Sequence, residues 1–305
     1  MKNKSVIIGT VTYNEERNIY DFAKTIKNQT YENLRVVIFD NNSKDKTILK
    51  LNRYLPNAVL IKNDKNIGFA SGMNIIFKEA KKMGADYFFT LNNDIKMNST
   101  CVSNLVDFIN RKKSPIVGPI ILKWDKTEDI IQEFGGKLNS KTGKVIKNYY
   151  NKKISNKIPK ELKVSFVGGG ISFINCNKIP AGENLFDRRY FMYYDESDLN
   201  YRFLKKGYDF YVTRNAIVWH KIHRRSRKQK LREMYYLNRN KYIFNHKHKG
   251  LIKCLNILLS DIIKLPKFIY QLKKSKSLYL FKIYIIALVH GIFNIFGKYE
   301  NEELY

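Results

Sequence analysis

Apolar residues in the first hundred positions fall into short runs, and amphipathic stretches separate the runs. Val6–Val11, Leu34–Phe39, Val59–Lys62 and Tyr87–Leu91 have the length and β-branched or aromatic content of buried strands. Between them, Glu16–Asn28, Lys46–Leu55 and Phe69–Met83 repeat their apolar positions at helical spacing. This β-α-β-α-β-α-β rhythm predicts an α/β domain built on a mostly parallel, doubly wound sheet. Such sheets bind ligands outside the carboxyl ends of their strands. Three of the predicted strands end in polar clusters: Thr12–Glu15, Asp40–Ser43 and Asn92–Asp94.

The pattern loosens over about residues 123–163, which are rich in Lys and Asn and predict loops or a small irregular sheet. Val164–Ile174 is strand-like but broken by Gly168, Gly169 and Gly170. Glu196–Lys206 predicts a short helix, and Asp209–Thr213 and Ala216–Trp219 predict short strands. Beyond about Ser226 the chain becomes basic and helical. Gln229–Phe244 leads into Leu251–Leu272, where Lys253, Asn256, Ser260, Lys264 and Lys267 form one polar stripe opposite a broad apolar face. Pro266 should kink or end that helix. Leu278–Phe296 is more apolar still, but Lys282, His290 and Asn294 interrupt it. The two segments read as an amphipathic pair lying in a membrane interface rather than as a span. A helical lid or a dimer contact is the competing reading. The expected organisation is a catalytic domain over residues 1–225 and a basic, amphipathic helical region over 226–305.

Composition sharpens this picture in one respect. Lys and Arg number 56 against 27 Asp and Glu, a net charge of +29 over 305 residues. A surplus of that size favours anionic partners: phosphorylated substrates, an anionic membrane surface or nucleic acid. Abundant Lys, Asn, Ile and Tyr throughout also fit a bias of the whole genome. Cys101, Cys176 and Cys254 are dispersed and have no metal-binding spacing, which fits a reducing compartment. No signal-peptide pattern precedes the first strand, so the expected location is cytoplasmic.

The strand-end clusters carry the candidate chemistry. Thr12, Tyr13, Asn14 and Glu15 would lie beside Asp40 and Asn42, offering carboxylate, amide and aromatic groups to a base and ribose. Each cluster alone would serve as turn or cap chemistry. Asp94 is the strongest ligand for a hard cation, with Asn92 and Asn93 beside it. A cation bound to a diphosphate needs only one or two protein ligands. Asp195, Glu196 and Asp198 place three carboxylates within four residues. Like charges raise one another's pKa, which suits a general base, although acids also favour helix N-termini. His220 can ligate a metal. Arg224, Arg225, Arg227 and Lys228 can pair with diphosphate oxygens. Gly168–Gly170 would let backbone approach a ligand closely.

Taken in order, these motifs resemble the family 2 glycosyltransferases of the GT-A nucleotide-diphospho-sugar transferase fold, nearest to rhamnosyltransferase-like members. Val11–Asn14 and Asp40–Ser43 are similar to that family's opening motifs. Asn66-Ile67-Gly68-Phe69-Ala70-Ser71-Gly72-Met73-Asn74 is similar to a subgroup signature, which brings Asn66, Gly68 and Asn74 into the expected donor site. Asn92-Asn93-Asp94 stands where the family carries Asp-x-Asp, with Asn in place of the first Asp. Asp195–Leu199 stands where it carries Glu-Asp-x-Asp-Leu, and the catalytic position falls on Glu196. Trp219-His220 and Tyr235–Asn240 match later family features. The resemblance implies an inverting transfer from a dTDP-rhamnose or UDP-sugar donor, with Mg²⁺ or Mn²⁺, to a glycan or lipid-linked acceptor in cell-surface polysaccharide synthesis. The amphipathic tail and basic charge suggest a lipid-linked glycan acceptor and a peripheral position on the inner face of the cell membrane. The base stays open between Glu196 and Asp195, with Asp198 alongside. The runner-up readings are a basic nucleic-acid-binding protein and an inactive scaffold. Nucleic acid is the less expected partner, because ordered acidic clusters do not serve nucleic-acid binding.

Overall fold

A computed structural model of the chain describes residues 4–125, 127–168, 170–180, 182–222, 226–274 and 278–299. The predicted rhythm is realised. Strands β1 (Val6–Thr12), β2 (Leu34–Asp40), β3 (Val59–Lys62) and β4 (Tyr87–Leu91) alternate with helices α1 (Ile19–Lys27), α2 (Thr47–Tyr54) and α3 (Phe69–Lys82). β1 pairs in parallel with both β2 and β4, and β2 pairs in parallel with β3. Residues 95–124, for which the apolar alternation makes no distinct prediction, form strand β5 (Ile95–Met97), helix α4 (Cys101–Lys112) and strand β6 (Ile116–Trp124).

The loop-like middle contributes β7 (Ile131–Glu133), a hairpin of β8 (Gly136–Leu138) with β9 (Val145–Lys147), and β10 (Glu161–Val164). The glycine-broken run becomes the end of β10, a turn, and β11 (Ile171–Asn175). The two short strands expected after residue 209 are a single strand, β12 (Phe210–Lys221). Its register against β6 shifts between Thr213 and Ile217, so one irregularity accounts for the break in the pattern. The main sheet runs β10-β12-β6-β11-β4-β1-β2-β3. β11 is antiparallel to both β4 and β6 and reverses the direction of the sheet at its middle.

Alternation along the strands builds two cores. Val6, Ile8, Val36, Ile38 and Phe89 face α1, α2 and α4 on one side, where Phe22, Leu51 and Leu105 are buried. Ile7, Val37, Phe39 and Phe88 face the opposite way, against Met73, Ile76, Leu199 and Phe203. Burial of each large apolar side chain is worth about 1.5–3 kcal/mol. The two faces therefore carry the stability and leave the polar strand ends available for a site.

Helix α5 (Asp195–Lys205) packs on the second face. Its Asp198 has no exposed surface. The carboxylate accepts from Arg202 Nε at 3.0 Å, Lys247 Nζ at 2.6 Å and His248 Nε2 at 2.7 Å. Lys247 and His248 lie near the end of α6 (Arg227–Lys249), and Lys247 also reaches Asp187 at 2.7 Å. α6 starts with a reciprocal cap between Ser226 and Gln229. It packs along α8 (Leu278–Ile292) through Leu231, Tyr235, Tyr236, Ile283 and Ala287.

Between α6 and α8 in sequence, α7 (Leu251–Lys274) continues through Pro266 instead of ending there. Pro266 is exposed, so the carbonyl it releases one turn earlier can be solvated. The outward side of α7 presents Leu251, Ile252, Leu255, Leu259, Ile262 and Ile263. Among the described residues no helix is long and apolar enough to cross a membrane.

Burial alone would raise the pKa of Asp198, but its cationic partners hold it below the ordinary carboxylate value. A depressed carboxylate pKa stabilises the fold above the unfolded value, near ~3.9, and that stability is lost as pH falls through the folded value. Asp198→Asn should therefore cost about 3–5 kcal/mol at neutral pH, because it leaves buried cations uncompensated. Denaturant unfolding at several pH values tests this. The gap between wild type and variant should close below pH ~4, and a gap independent of pH would contradict it.

Candidate active site

The ends of β1 and β2 and the start of α3 enclose a cleft of about 240 Å³ with α6 and the C-terminal segment. Its walls include Thr12, Tyr13, Glu15, Asn41, Asn66 and Gly68, and on the far side Lys228, Arg232 and Lys298. Tyr13 is 40% exposed, so its ring can be reached by a ligand. The Thr12 hydroxyl is buried and accepts from Asn93 Nδ2 at 3.0 Å, which ties the end of β1 to that of β4. Asn14 and Asn42 both have positive φ. Asn14 braces the β2 loop through Ser43 and Lys44, as turn chemistry would have it.

Asp40 donates nothing but accepts from Ser43 N through Oδ2 at 3.0 Å. Its Oδ1 is buried without a hydrogen-bond partner, an arrangement that suits a ligand donor. Gly68 has φ +86, and a Cβ there would lie 2.5 Å from the carbonyl of Phe191. The position therefore excludes other residues for both conformation and space. Asn66 caps this turn by accepting from Gly68 N. Asn74 does not reach the cleft. Its side-chain amide exchanges hydrogen bonds of 2.7 and 2.8 Å with the backbone of Phe186 and braces the segment leading to α5.

Beyond β4, Asp94 Oδ1 lies 3.2 Å from His220 Nε2 on β12. The two residues, 126 positions apart in sequence, are brought together by the antiparallel pairing of β5 with β12. His220 Nδ1 is 3.0 Å from the amide of Gln132, whose Oε1 is buried without a partner. Exchanging the amide's O and N lets Oε1 accept from Nδ1–H and leaves the Nε2 lone pair facing Asp94. One carboxylate oxygen and one such imidazole nitrogen are a donor pair that fits a divalent cation whose remaining ligands come from phosphate and water. No cluster of three or more His, Cys, Asp or Glu suited to a metal occurs among the described residues. Burial raises the pKa of Glu15, and nearby Asp94 adds to the effect, so charge on Glu15 is disfavoured beside Asp94.

A second hollow of about 520 Å³ lies beside α5. Glu133, Lys144, Lys147, Tyr193, Tyr194, Glu196, Leu237 and Lys241 are among its walls. The three clustered carboxylates separate here. Glu196 faces the hollow and accepts from Gly170 N at 3.0 Å. Asp195 is 2% exposed, and its Oδ2 has no partner. Burial first, and the neighbouring Glu196 second, push its pKa well above the carboxylate range. Burial thus disfavours the charged form of Asp195, whereas Glu196 faces open space. Asp198 points away, into the cation cluster that joins α5 to α6.

Gly170 connects the two sides of the site. A Cβ on it would meet the Asn92 amide at 3.1 Å, so Asn92 and Glu196 flank one glycine. Gly169 lies outside the described residues, as do Arg224 and Arg225. Tyr193 and Tyr194, which lead into α5, both adopt left-handed backbone (φ +62 and +66). Each such residue stores about 1–3 kcal/mol of strain. Asn240 on α6 offsets it by donating to the carbonyls of Met192 and Tyr193 at 2.8 and 2.9 Å.

Arg227 is exposed and does not line the cleft. The cations that do line it, Lys228 and Arg232, are four residues apart and share one face of α6, a helical signal present in the sequence. Arg232 Nε is buried without a hydrogen-bond partner. Lys298 and Gln132 had no such signal, because they reach the site only through the packing of distant segments.

The model of glycosyl transferase family 2 matches residues 5–176. N-acetylglucosaminyl-diphospho-decaprenol L-rhamnosyltransferase of Mycobacterium tuberculosis is 22% identical over 234 residues, covering 70% of this chain and 75% of that protein. UDP-Glc:alpha-D-GlcNAc-diphosphoundecaprenol beta-1,3-glucosyltransferase WfaP of Escherichia coli is 31% identical over 114 residues, 37% of this chain and 43% of that protein. The crystal structure of S. aureus TarS 1–349 in complex with UDP superposes with TM-score 0.52 at 14% identity, covering 82% of this chain and 68% of that one. GalNAc-T7 with UDP, GalNAc and Mn²⁺ gives TM-score 0.57 at 14% identity, over 72% and 43% of the two chains. These likenesses establish the GT-A fold.

Asn240→Ala should destabilise the protein by about 1–3 kcal/mol, since two carbonyls lose their donor and the left-handed tyrosines lose their brace. Denaturant midpoints at constant m-value are the measurement. A change below about 0.5 kcal/mol would show that the brace is dispensable.

Proposed function

The chain belongs to glycosyl transferase family 2, and from that premise we propose that this glycosyltransferase moves a sugar, with inversion, from a nucleotide-diphospho-sugar to a hydroxyl of a lipid-linked glycan. The observation that carries the reading is the juxtaposition around Gly170. On the Asn92 side, neighbouring Asn93 bonds Thr12 in the wall of the cation-lined cleft, and on the other side Glu196 faces a hollow whose second carboxylate, Glu133, is paired with Lys147.

The base and ribose of the donor suit the ends of β1 and β2, with Tyr13 available to stack and Asp40 Oδ1 to accept. Its diphosphate suits Lys228, Arg232 and Lys298. Asp94 and His220 would hold a Mg²⁺ or Mn²⁺, whose chemistry when bound is to neutralise charge on the leaving diphosphate. Glu196 takes the proton of the acceptor hydroxyl as its oxygen attacks the anomeric carbon from the face opposite the leaving group. The bond from that carbon to the phosphate oxygen breaks, and Lys228 and Arg232 meet the charge that develops there. Asp195 is buried away from the hollow and is the less accessible carboxylate. The named acceptors of the mycobacterial and E. coli relatives, both lipid-linked diphosphates, support the acceptor class. dTDP-rhamnose and UDP-glucose are the first donors to try.

The outward apolar row of α7, with Phe293 and Phe296 exposed near the end of α8, supports seating on a bilayer surface. The +29 charge favours an anionic one. This reading places the enzyme at the cytoplasmic face of the membrane and treats residues 226–305 as the segment that docks.

A panel of dTDP-, UDP- and GDP-sugars with Mn²⁺ or Mg²⁺ tests the donor site. One donor should raise the melting temperature, and both EDTA and Asp94→Ala should abolish the shift. A shift with nucleic acid and with no donor would overturn the reading. With the donor known, Glu196→Gln should lower turnover by about 10²–10⁴-fold, whereas Asp195→Asn, at a buried carboxyl that does not face the hollow, should stay within about tenfold. The reverse order would move the base to Asp195. Ile252→Glu with Ile263→Glu should abolish co-sedimentation with phosphatidylglycerol vesicles, and retained binding would refute the docking surface.

A further inference from the structure

A third hollow, of about 260 Å³, opens beside the acceptor hollow and is lined by Lys141, Lys144, Lys241, Asn245, Lys253 and Asn256 among others. Lys144, on the β8–β9 hairpin, and Lys241, on α6, line both hollows. The space beside Glu196 thus continues between these two lysines toward α7. Lys241 is bound to Asp261 at 2.5 Å. Asp261 also lines the hollow, but its partner there is Lys241, and Lys141, Lys144 and Lys253 have no carboxylate within ion-pair distance among the described residues, so the lining keeps a surplus of positive charge. One of its lining residues, Asn245, is fully buried, and its Oδ1 has no hydrogen-bond partner. A buried acceptor atom among lysines fits a ligand that carries both hydroxyls and negative charge.

Helix α7 supplies the remaining clue. Lys253, Asn256, Ile257 and Ser260 turn toward the hollow, while Leu251, Ile252, Leu255 and Leu259 face outward and are exposed. One helix therefore places cations and apolar side chains side by side, in the order that a lipid diphosphate would meet them.

We propose that this lysine-lined hollow is the subsite for the diphosphate of a polyprenyl-diphosphate-linked acceptor. The accepting sugar lies next to it, in the 520 Å³ hollow at Glu196, and the lipid leaves along α7. This inference rests on the transferase reading above and adds to it where the acceptor is held. It also implies that the accepting hydroxyl lies on a sugar close to the diphosphate rather than at the end of a long glycan.

The full chain, with EDTA present, is titrated with farnesyl diphosphate, farnesol and inorganic pyrophosphate, and binding is followed by tryptophan fluorescence or calorimetry. Farnesyl diphosphate should bind more tightly than either fragment. Lys144→Glu with Lys253→Glu should weaken it by about tenfold or more, and the charge-neutral Lys144→Gln with Lys253→Gln should weaken it less. Arg232→Glu, in the donor cleft, should leave it unchanged. Unchanged affinity in both lysine variants, or a loss confined to Arg232→Glu, would overturn the subsite. Pyrophosphate binding as tightly as farnesyl diphosphate would overturn the lipid-linked class. Donor-induced melting shifts are measured in the same variants. A donor shift that survives while farnesyl diphosphate fails to bind sinks this subsite and spares the transferase. Absence of any donor shift in wild type counts against the transferase instead.

Discussion

A single buried carboxylate holds the site in register. Asp198 lies in the first turn of α5 with no solvent contact, and its charge is met by Arg202 from its own helix and by Lys247 and His248 from α6. A buried ion cluster of this kind adds little net stability over an apolar replacement, because desolvation consumes most of the Coulombic gain. What it fixes is position. Any sliding of α6 along α5 would leave a charge buried without a partner. α6 is therefore locked, and α6 supplies a wall to both sides of the site: Lys228 and Arg232 to one, Leu237, Asn238 and Lys241 to the other. Asn240, on the same helix, holds the strained turn that aims Glu196.

The same turn of α5 shows how burial assigns chemistry. Asp195 and Glu196 are adjacent carboxylates, yet one sits in the protein interior and the other in a hollow. Desolvation first, and the neighbouring Glu196 second, disfavour charge on Asp195. The overall +29 charge, by contrast, is mostly surface. Pairs such as Lys96–Glu128 and Lys163–Asp209 are exposed and add little to stability. The cations with a distinct role are the few that line concave space without a carboxylate beside them.

The first half of the fold was legible because period-two strands and period-3.6 helices alternate cleanly there, and β3 and β4 fall where the apolar runs place them. The stretch holding α4 and β6 was not legible, since it follows a polar strand end without a marked turn. Much of the site was legible too, but not the division of labour within it. Asp195, Asp198 and Leu199 stand at i, i+3 and i+4, so the apolar Leu199 already marks their shared face as buried and leaves Glu196 about 100° away from it. Arg227 was chosen from a run of charges, whereas helical spacing selects Lys228 with Arg232. His220 on β12 and Gln132 on β7 meet only because both strands pair with β6, and spacing along the chain cannot reveal that.

Because α6 is one continuous helix, it also sets the distance between the two ends of the reaction. Arg232 and Lys241 are nine positions apart on it, about 14 Å along the axis. Nine steps of about 100° also turn the two side chains to opposite sides of the helix, so one rigid element would hold the leaving and the anchoring diphosphates further apart than that rise. The transferred sugar and the accepting sugar must both fit between them, with Glu196 and Gly170 at the junction. A glycan of many units between hydroxyl and diphosphate would not fit this spacing, whereas a short one would place its hydroxyl at Glu196. The helix that the Asp198 cluster fixes in place is thus also the element that would limit how far from the lipid the new linkage can form.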